Sequence, residues 1–299
     1  ELLANHKEVM LCMDIMYVCG LPLFTCIDTS IKYRSVVTLK DRTSAELFRA
    51  LDFVFRRYNS AGMTITSMNC DQEFKHHMDK VYDDLDIHMN YTTTGDHVPE
   101  AERNNRTLKE RTRAAFHNTP FNAMPRLMLQ RLVYGCCFQL NIFPAKTGIS
   151  AYFSPYALML GRNLPYNRFT ISFGSYVQAP YEATDYNTLE PRTIGCIYLG
   201  PAHNKQGGHI LLNLTTGKTI TRPRVKVIPI TDDVIARVEA LAAADGMKGL
   251  KFADRNRVSY EPDALEGVGD GQDNEDDDDE DDDEDYNPDD DEDDDEDDD

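Results

Sequence analysis

Cys12-Met13-Asp14-Ile15-Met16-Tyr17-Val18, Leu23-Phe24-Thr25-Cys26-Ile27-Asp28-Thr29 and Tyr33-Arg34-Ser35-Val36-Val37-Thr38-Leu39 are three short β-rich segments, separated by Gly20-Leu21-Pro22 and by polar residues. That spacing predicts three consecutive strands in a meander. Thr43 then offers an N-cap with Glu46 three residues on, a capping box. Leu47, Leu51, Val54, Phe55 and Tyr58 follow at helical spacing until Gly62. Residues 63–70 read as a fourth strand ending at Asp71, 73–85 as a short helix and 87–93 as a fifth strand. A turn at Thr94-Gly95-Asp96-His97 precedes a long helix from about Pro99 to His117. Pro120 breaks it, and a second helix runs from about Ala123 to Leu140. The order βββαβαβ followed by helices predicts an α/β fold, a five-stranded mixed sheet with flanking helices.

Beyond Pro144 the character changes. Residues 169–229 carry Gly and Pro punctuation, alternating segments such as 209–214, and a hairpin signal at Thr215-Thr216-Gly217-Lys218. They read as a small β-rich module, and residues 232–244 as a terminal helix. The expected organisation is a remnant over 1–9, a core over 10–165, the β-rich module over 166–231, a helical segment over 232–252 and a disordered acidic tail over 253–299.

Charge divides the same way. The formal net charge is -21, yet residues 261–299 hold 27 of the 52 acidic side chains and no Lys or Arg. Residues 1–260 keep 31 basic and 25 acidic groups, a mildly basic body. No apolar run approaches the roughly 20 residues that span a bilayer, and no signal peptide is visible. The first residue is Glu and not Met, which suggests a fragment or a piece of a polyprotein. Seven cysteines without a CxxC pair fit reduced thiols inside a cell, and the expectation is a soluble, intracellular protein.

Three carboxylates stand where a catalyst would want them: Asp14 in the middle of a strand, Asp71 at a strand end and Glu102 in the first turns of the long helix. A carboxylate inside a central strand costs several kcal/mol unless it is paired or metal-bound. Taken singly, Asp14 reads equally well as a structural hydrogen-bonding group, and Asp71 more readily as a helix cap. Glu102, Arg106, Lys109 and Arg113 fall at i, i+4, i+7 and i+11, one helical face, which is either a solvated stripe or a rail for phosphates. Arg222, Arg224 and Lys226 alternate on one strand and read equally as a second such surface or as a charged edge that blocks aggregation. His76-His77 diverge on a helix and read as surface histidines. Cys70 reads as a packed thiol.

Asn69-Cys70-Asp71-Gln72-Glu73-Phe74 and Pro99-Glu100-Ala101-Glu102-Arg103-Asn104-Asn105-Arg106-Thr107-Leu108, on this element order, resemble the catalytic core of RNase H-like retroelement integrases, with the copia type nearest. Cys26-Ile27-Asp28 with Tyr33-Arg34 resembles their second and third strands, and Gly195-Cys196-Ile197-Tyr198-Leu199-Gly200 the region after that core. The resemblance implies that Asp14, Asp71 and Glu102 are a DDE triad holding two Mg²⁺ (or Mn²⁺) ions, and that Asn105, Arg106 and Lys109, with Arg113 on the same stripe, position DNA. It implies 3′-end processing and strand transfer into target DNA, action in the nucleus after cytoplasmic synthesis within a polyprotein, and a homo-oligomer formed through a helical face. Two metals activate a water or 3′-hydroxyl and stabilise the leaving oxygen of an in-line displacement.

The match departs in places. Thirty residues separate Asp71 from Glu102, fewer than in the family's D,D-35-E signature, Gln72 replaces an Asn, and the family's zinc-binding His/Cys module does not appear in this chain. Glu100 is the alternative third ligand, and on a helix it points about 200° from Glu102. The acidic tail reads as a solubilising spacer or as a histone- or chromatin-binding segment. The rival functions are an inactive relic or recruited nucleic-acid- or histone-binding module, and an RNase H-fold nuclease.

Overall fold

The structure is a computed structural model that describes residues 7–75, 87–93, 98–164, 166, 169–181, 191–202, 207–253 and 259–260. Strands β1 (Glu8–Val18), β2 (Leu21–Asp28) and β3 (Arg34–Thr38) form the expected antiparallel meander. Helix α1 (Ser44–Ser60) leads to β4 (Thr64–Cys70), parallel to β1, and β5 (His88–Tyr91) lies parallel to β4. The sheet order is β3-β2-β1-β4-β5, the mixed RNase H-like arrangement. Helices α2 (Pro99–His117), α3 (Arg126–Ile142) and the short α4 (Pro155–Leu160) follow. Most of the expected helix over 73–85, the turn at 94–97, His76 and His77 lie outside the described residues, as does the chain beyond 260.

Alternation along β1 sorts its side chains to two layers. Val9, Leu11, Met13, Ile15 and Tyr17 pack with Leu47, Leu51, Val54 and Tyr58 of α1. Met16 and Val18 face the other way, into a cluster with Leu108 of α2 and Leu129, Leu132 and Val133 of α3. Asp14 shares their parity and so lies under α2. The capping box at α1 is half formed: the Thr43 hydroxyl accepts from the Glu46 amide, but Glu46 Oε2 accepts from the Lys40 amide and from Arg49. Pro125, at the N-cap of α3, moves that helix's start from the expected 123 to Arg126.

A second sheet, ordered β10-β6-β7-β8-β9, comprises β6 (Tyr176–Pro180), β7 (Thr193–Pro201), β8 (His209–Asn213), β9 (Thr219–Arg222) and β10 (Lys226–Val227). It shares a core with the first. Ile197, Leu199, Leu212 and Leu214 from the β-rich part, and Val234, Val238 and Ala242 of α5 (Asp232–Ala244), join the same cluster as α2 and α3. Only Arg126 and Gln139 remain exposed in α3, which packs against the chain's own β-rich part.

Strands cross two of the expected boundaries. The remnant over 1–9 contributes its last two residues to β1. Within and beside the segment expected as tail from 253, β11 (Phe252–Ala253) pairs antiparallel with β1 at Tyr17 and Val18, and β12 (Ser259–Tyr260) pairs with β11. Sequence periodicity misses strands of two residues, because only their partners define them. No helix among the described residues is long and apolar enough to cross a membrane.

A shared core predicts one cooperative unfolding event for residues 1–261. Leu132→Ala, at the meeting of α3 with both sheets, is expected to cost about 2–5 kcal/mol and to lower a single melting transition by about 5–15 °C. Circular dichroism checks this, and two separate transitions would show that the β-rich part folds independently.

Candidate active site

The register that relates Asp14 to Asp71 is set by an irregularity in a parallel pair. Val9 pairs with Ile65, but Met10 pairs with Ser67, so Thr66 is an extra residue in β4, its hydroxyl bonded to the Val9 carbonyl. The register then runs through Leu11–Met68 and Cys12–Asn69. Continued by two residues, with Asp71 in extended backbone, that register sets Asp71 opposite Asp14, on the face turned away from α1. Both are buried, at 7% and 4% exposure.

The Asp14 carboxylate is held from two directions. Its Oδ2 accepts from Asn105 Nδ2 at 2.8 Å, and its Oδ1 accepts from the Ile15 amide at 2.7 Å. Thr25, opposite Asp14 on β2, donates its hydroxyl to Asn105 Oδ1 at 2.7 Å and lies 3.1 Å from the Asp14 carbonyl. Asn105 is therefore spent inside the protein. Its expected place on a DNA-contacting surface is replaced by one beneath α2, orienting Asp14, because the face that buries Ala101, Asn104, Leu108 and Thr112 includes position 105. Sequence reasoning missed Thr25, whose signal was its place in the strand opposite Asp14.

Asp71 precedes a short 3₁₀ turn (Gln72–Phe74), yet its side chain makes no capping bond to it. The helix-cap reading of this residue therefore fails. Asp28 is the structural carboxylate of this sheet: it is fully buried, and its Oδ1 accepts from the Ser30 and Ile31 amides at 2.6 and 3.0 Å.

Around the first turn of α2 the acidic residues separate. Glu100 Oε1 accepts from Lys32 Nζ at 2.6 Å, and Asn104 Oδ1 accepts from Arg34 Nε at 3.0 Å. These contacts aim the Glu100–Asn104 flank at the β2–β3 connection. Lys32 sits there at φ 58, a left-handed conformation unusual for a lysine, with its ammonium on Glu100. At 100° per residue, Glu102, Arg106, Lys109 and Arg113 fall on the opposite flank, toward β4. Glu102, Arg106 and Arg113 are exposed and Lys109 is half-buried.

Among the described residues, no three His, Cys, Asp or Glu side chains lie close enough together to hold a metal ion. Asp14 and Asp71 are buried and Glu102 is exposed at the head of the basic stripe. Two adjacent carboxylates are hard oxygen donors that fit a Mg²⁺, which typically binds through one or two carboxylates plus substrate phosphates.

The thiols offer no alternative chemistry. All seven cysteines are free, and burial pushes Cys70, Cys26 and Cys137 up to about 12. These three stay protonated at neutral pH, and Cys70 next to Asp71 is a packed core residue.

No protein-family model and no curated protein matches the chain. Among solved structures, it is similar to the catalytic core domain of BIV integrase, with 16% identity over 51% of this chain and 93% of that one and a TM-score of 0.39. The HTLV-2 integrase catalytic core domain in complex with magnesium matches in its dimeric form with 17% identity over 50% of this chain and 94% of that one, TM-score 0.39. Its trimeric form matches with 16% identity, coverages of 50% and 95%, and a TM-score of 0.40.

Asn105→Ala removes the amide donor from a buried carboxylate and is expected to cost about 1–3 kcal/mol of stability, while Arg103→Ala, on the exposed face, stays within about 0.5 kcal/mol. Urea unfolding of the two variants decides it, since equal midpoints would mean that Asn105 does not hold Asp14.

Proposed function

We propose that the protein is a metal-dependent polynucleotidyl transferase of the integrase kind, acting on DNA by 3′-end processing and strand transfer. The observation that supports this is the burial of two carboxylates, Asp14 and Asp71, which follow the last paired residues of the parallel β1–β4 ladder, with Asp14 held by Asn105 of a helix whose exposed flank is basic. A buried acidic pair in water-poor surroundings is unfavourable for stability, which argues that it is retained for binding a cation.

Asp14 and Asp71 would hold the divalent ion, Mg²⁺ or Mn²⁺. Bound there, such an ion supplies Lewis-acid polarisation of the phosphodiester and activates a water or 3′-hydroxyl. Asn105 and Thr25 fix the Asp14 rotamer, so the carboxylate need not reorganise when substrate arrives. The Lys32–Glu100 pair pins the first turn of α2, which sets where Glu102 and the basic stripe stand. In this reading Glu102 is the third acidic group, since Glu100 is engaged by Lys32, and it completes the site when DNA and a second ion are present. Arg106, Lys109 and Arg113 bind phosphates, contacts that carry affinity but no sequence choice.

The partners in this reading are element-end and target DNA and further copies of the chain, assembled through surfaces other than the covered face of α3. The copia type, synthesis within a polyprotein, action in the nucleus and chromatin contact through the acidic tail belong to the same proposal.

Asp14→Asn and Asp71→Asn are each expected to lower Mg²⁺-dependent strand transfer by about 10²–10⁴-fold, the loss of several kcal/mol of transition-state stabilisation, with duplex affinity little changed. Strand-transfer assays with labelled duplex ends, run beside binding and magnesium calorimetry, test this. Retained transfer in either variant sinks the assignment. Salt-sensitive DNA binding that ignores Mg²⁺ and survives loss of both carboxylates would favour the inactive module instead.

A further inference from the structure

The seam between α3 and the β-rich part is not closed along its whole length. A cavity of about 130 Å³ lies in it, walled by Tyr134 and Phe138 of α3, by Phe169 and Phe173, and by Leu199 of β7 and Ile210 of β8. Two of these walls are fixed from behind. The Tyr134 hydroxyl accepts from the Thr38 amide at 3.0 Å. Phe138 stacks on Phe169, with ring centroids 5.7 Å apart and planes inclined by 20°, and meets Tyr156 edge to face at 5.6 Å. These contacts hold the aromatic walls in place and keep them from collapsing into the space they enclose.

Two glycines also line the cavity, for different reasons. Gly200, at the bulge between β7 and β8, takes φ 135, a conformation that L side chains rarely adopt. Gly135 stands in the middle of α3, where glycine is a poor helix former. Its φ is not positive, and a methyl group added there would meet nothing within 4 Å among the described residues. Neither backbone conformation nor packing within those residues calls for glycine at 135, and its lack of a side chain leaves the cavity resting on bare helix backbone. Arg131 and Gln139 flank it at i−4 and i+4, on the same stripe of α3, and line the cavity with it. Arg131 is half-buried and has no ion pair or hydrogen bond among the described residues. It is the only charged group among the described residues of the lining.

We propose that this cavity is a binding site for a small aromatic acid, with one six-membered ring seated over Gly135 and its carboxylate on the Arg131 guanidinium. Size sets the ring: an apolar cavity of ~150 Å³ takes up benzene, so a space of this volume admits one ring and excludes fused ones. Charge sets the acid. A single guanidinium without a carboxylate partner matches a monoanion, and its planar fork suits the two oxygens of a carboxylate. The walls are the faces and edges of aromatic side chains, which pack well against a further ring. Because α3 and the β-rich part each supply walls, the ligand binds only where the two are joined, and binding stabilises that joining. The site shares no residue with the acidic pair or the basic stripe, and it stands independently of the polynucleotidyl transferase reading.

The test is calorimetry and thermal melting of the full chain with three probes: phenylacetate, its neutral analogue phenylacetamide, and acetate. Phenylacetate is expected to bind one to one and to raise the melting temperature. Phenylacetamide is expected to bind about tenfold more weakly, the loss of a charge-assisted hydrogen bond, and acetate, which has no ring, not to bind. Arg131→Gln is expected to weaken phenylacetate by about the same factor and to abolish its advantage over phenylacetamide, while Lys226→Gln, an exposed charge on β10, leaves both unchanged. Gly135→Leu fills the cavity and is expected to abolish binding. Gly135→Ala is expected to raise the melting temperature of the free protein by about 1–4 °C, through better helix formation, and yet to weaken phenylacetate several-fold, so it decides the matter if the leucine variant does not fold. No binding of phenylacetate up to about 10 mM, tenfold above a Kd of about 1 mM, overturns the proposal. So does equal binding of phenylacetate and phenylacetamide by the wild-type chain. Affinity that survives both Gly135→Ala and Arg131→Gln places the ring elsewhere and also overturns it.

Discussion

The register of β1 against β4 is the constraint on which the site depends. Side chains in a strand alternate with a period of two, so a slip of one residue exchanges the two faces. The apolar positions of β4 that meet α1 are Ile65, Met68 and Cys70, spaced three and then two apart. A regular strand cannot keep all three on one face. Thr66, the extra residue of the bulge, absorbs the odd step, and the α1 core remains continuous on both sides of it. The same correction carries Asp71 to Asp14. Without it Asp14 would stand opposite Cys70, whose side chain belongs to the α1 layer, and the two carboxylates would be on opposite faces of the sheet. Hydrophobic packing on one face thus fixes the acidic pair on the other.

The second face is secured by hydrogen bonds between unlike elements. Thr25 of β2, Asp14 of β1 and Asn105 of α2 form one buried chain, in which each group satisfies another. It fixes the rotation of α2 about its own axis as firmly as the apolar contacts of Leu108 and Phe116 do. Lys32 and Arg34 add a half-buried polar seam along the Glu100–Asn104 flank. Once that flank faces β3, the flank of Glu102 and the basic side chains is committed to the β4 side. The orientation of the exposed stripe is therefore a consequence of buried and half-buried polar contacts some residues away.

These dependencies explain what was legible in the sequence. The meander, α1, β4 and α2 follow from local periodicity, and α2 falls at its expected bounds because Pro99 suits a first helical turn. Asp14 and Asp71 were visible as acidic residues in or at the end of apolar strands. The bulge at Thr66 was not, since its cause is the fit of two strands to a common layer and no single residue announces it. Asn105 was misplaced for a related reason: helical spacing relates it to its neighbours on α2, but only the position of β1 says that this face is covered. The joining of the β-rich part to the core was equally hidden. Ile197 and Leu199 of β7, Val238 of α5 and Leu132 of α3 are far apart in the chain and form one cluster only in the folded state.

That joining changes what the C-terminal part is for. A β-rich unit on a linker would leave α3 with an apolar face needing a second copy of the chain. Here β7, β8 and α5 supply that cover, and Glu239 and Asp245 bind the α2–α3 connection at Asn122 and Arg126. With α5 anchored in this way, residues 245–251 have a short, defined path back to Cys19, and β11 reaches the open edge of β1. The edge could not be filled by extending β4, because β4 must end where Asp71 turns into the 3₁₀ segment. Closing it from the C-terminal side leaves the acidic pair at the junction of two strands from distant parts of the chain. The covered helix and the repaired sheet edge are thus two ends of one structural solution, and the site lies between them.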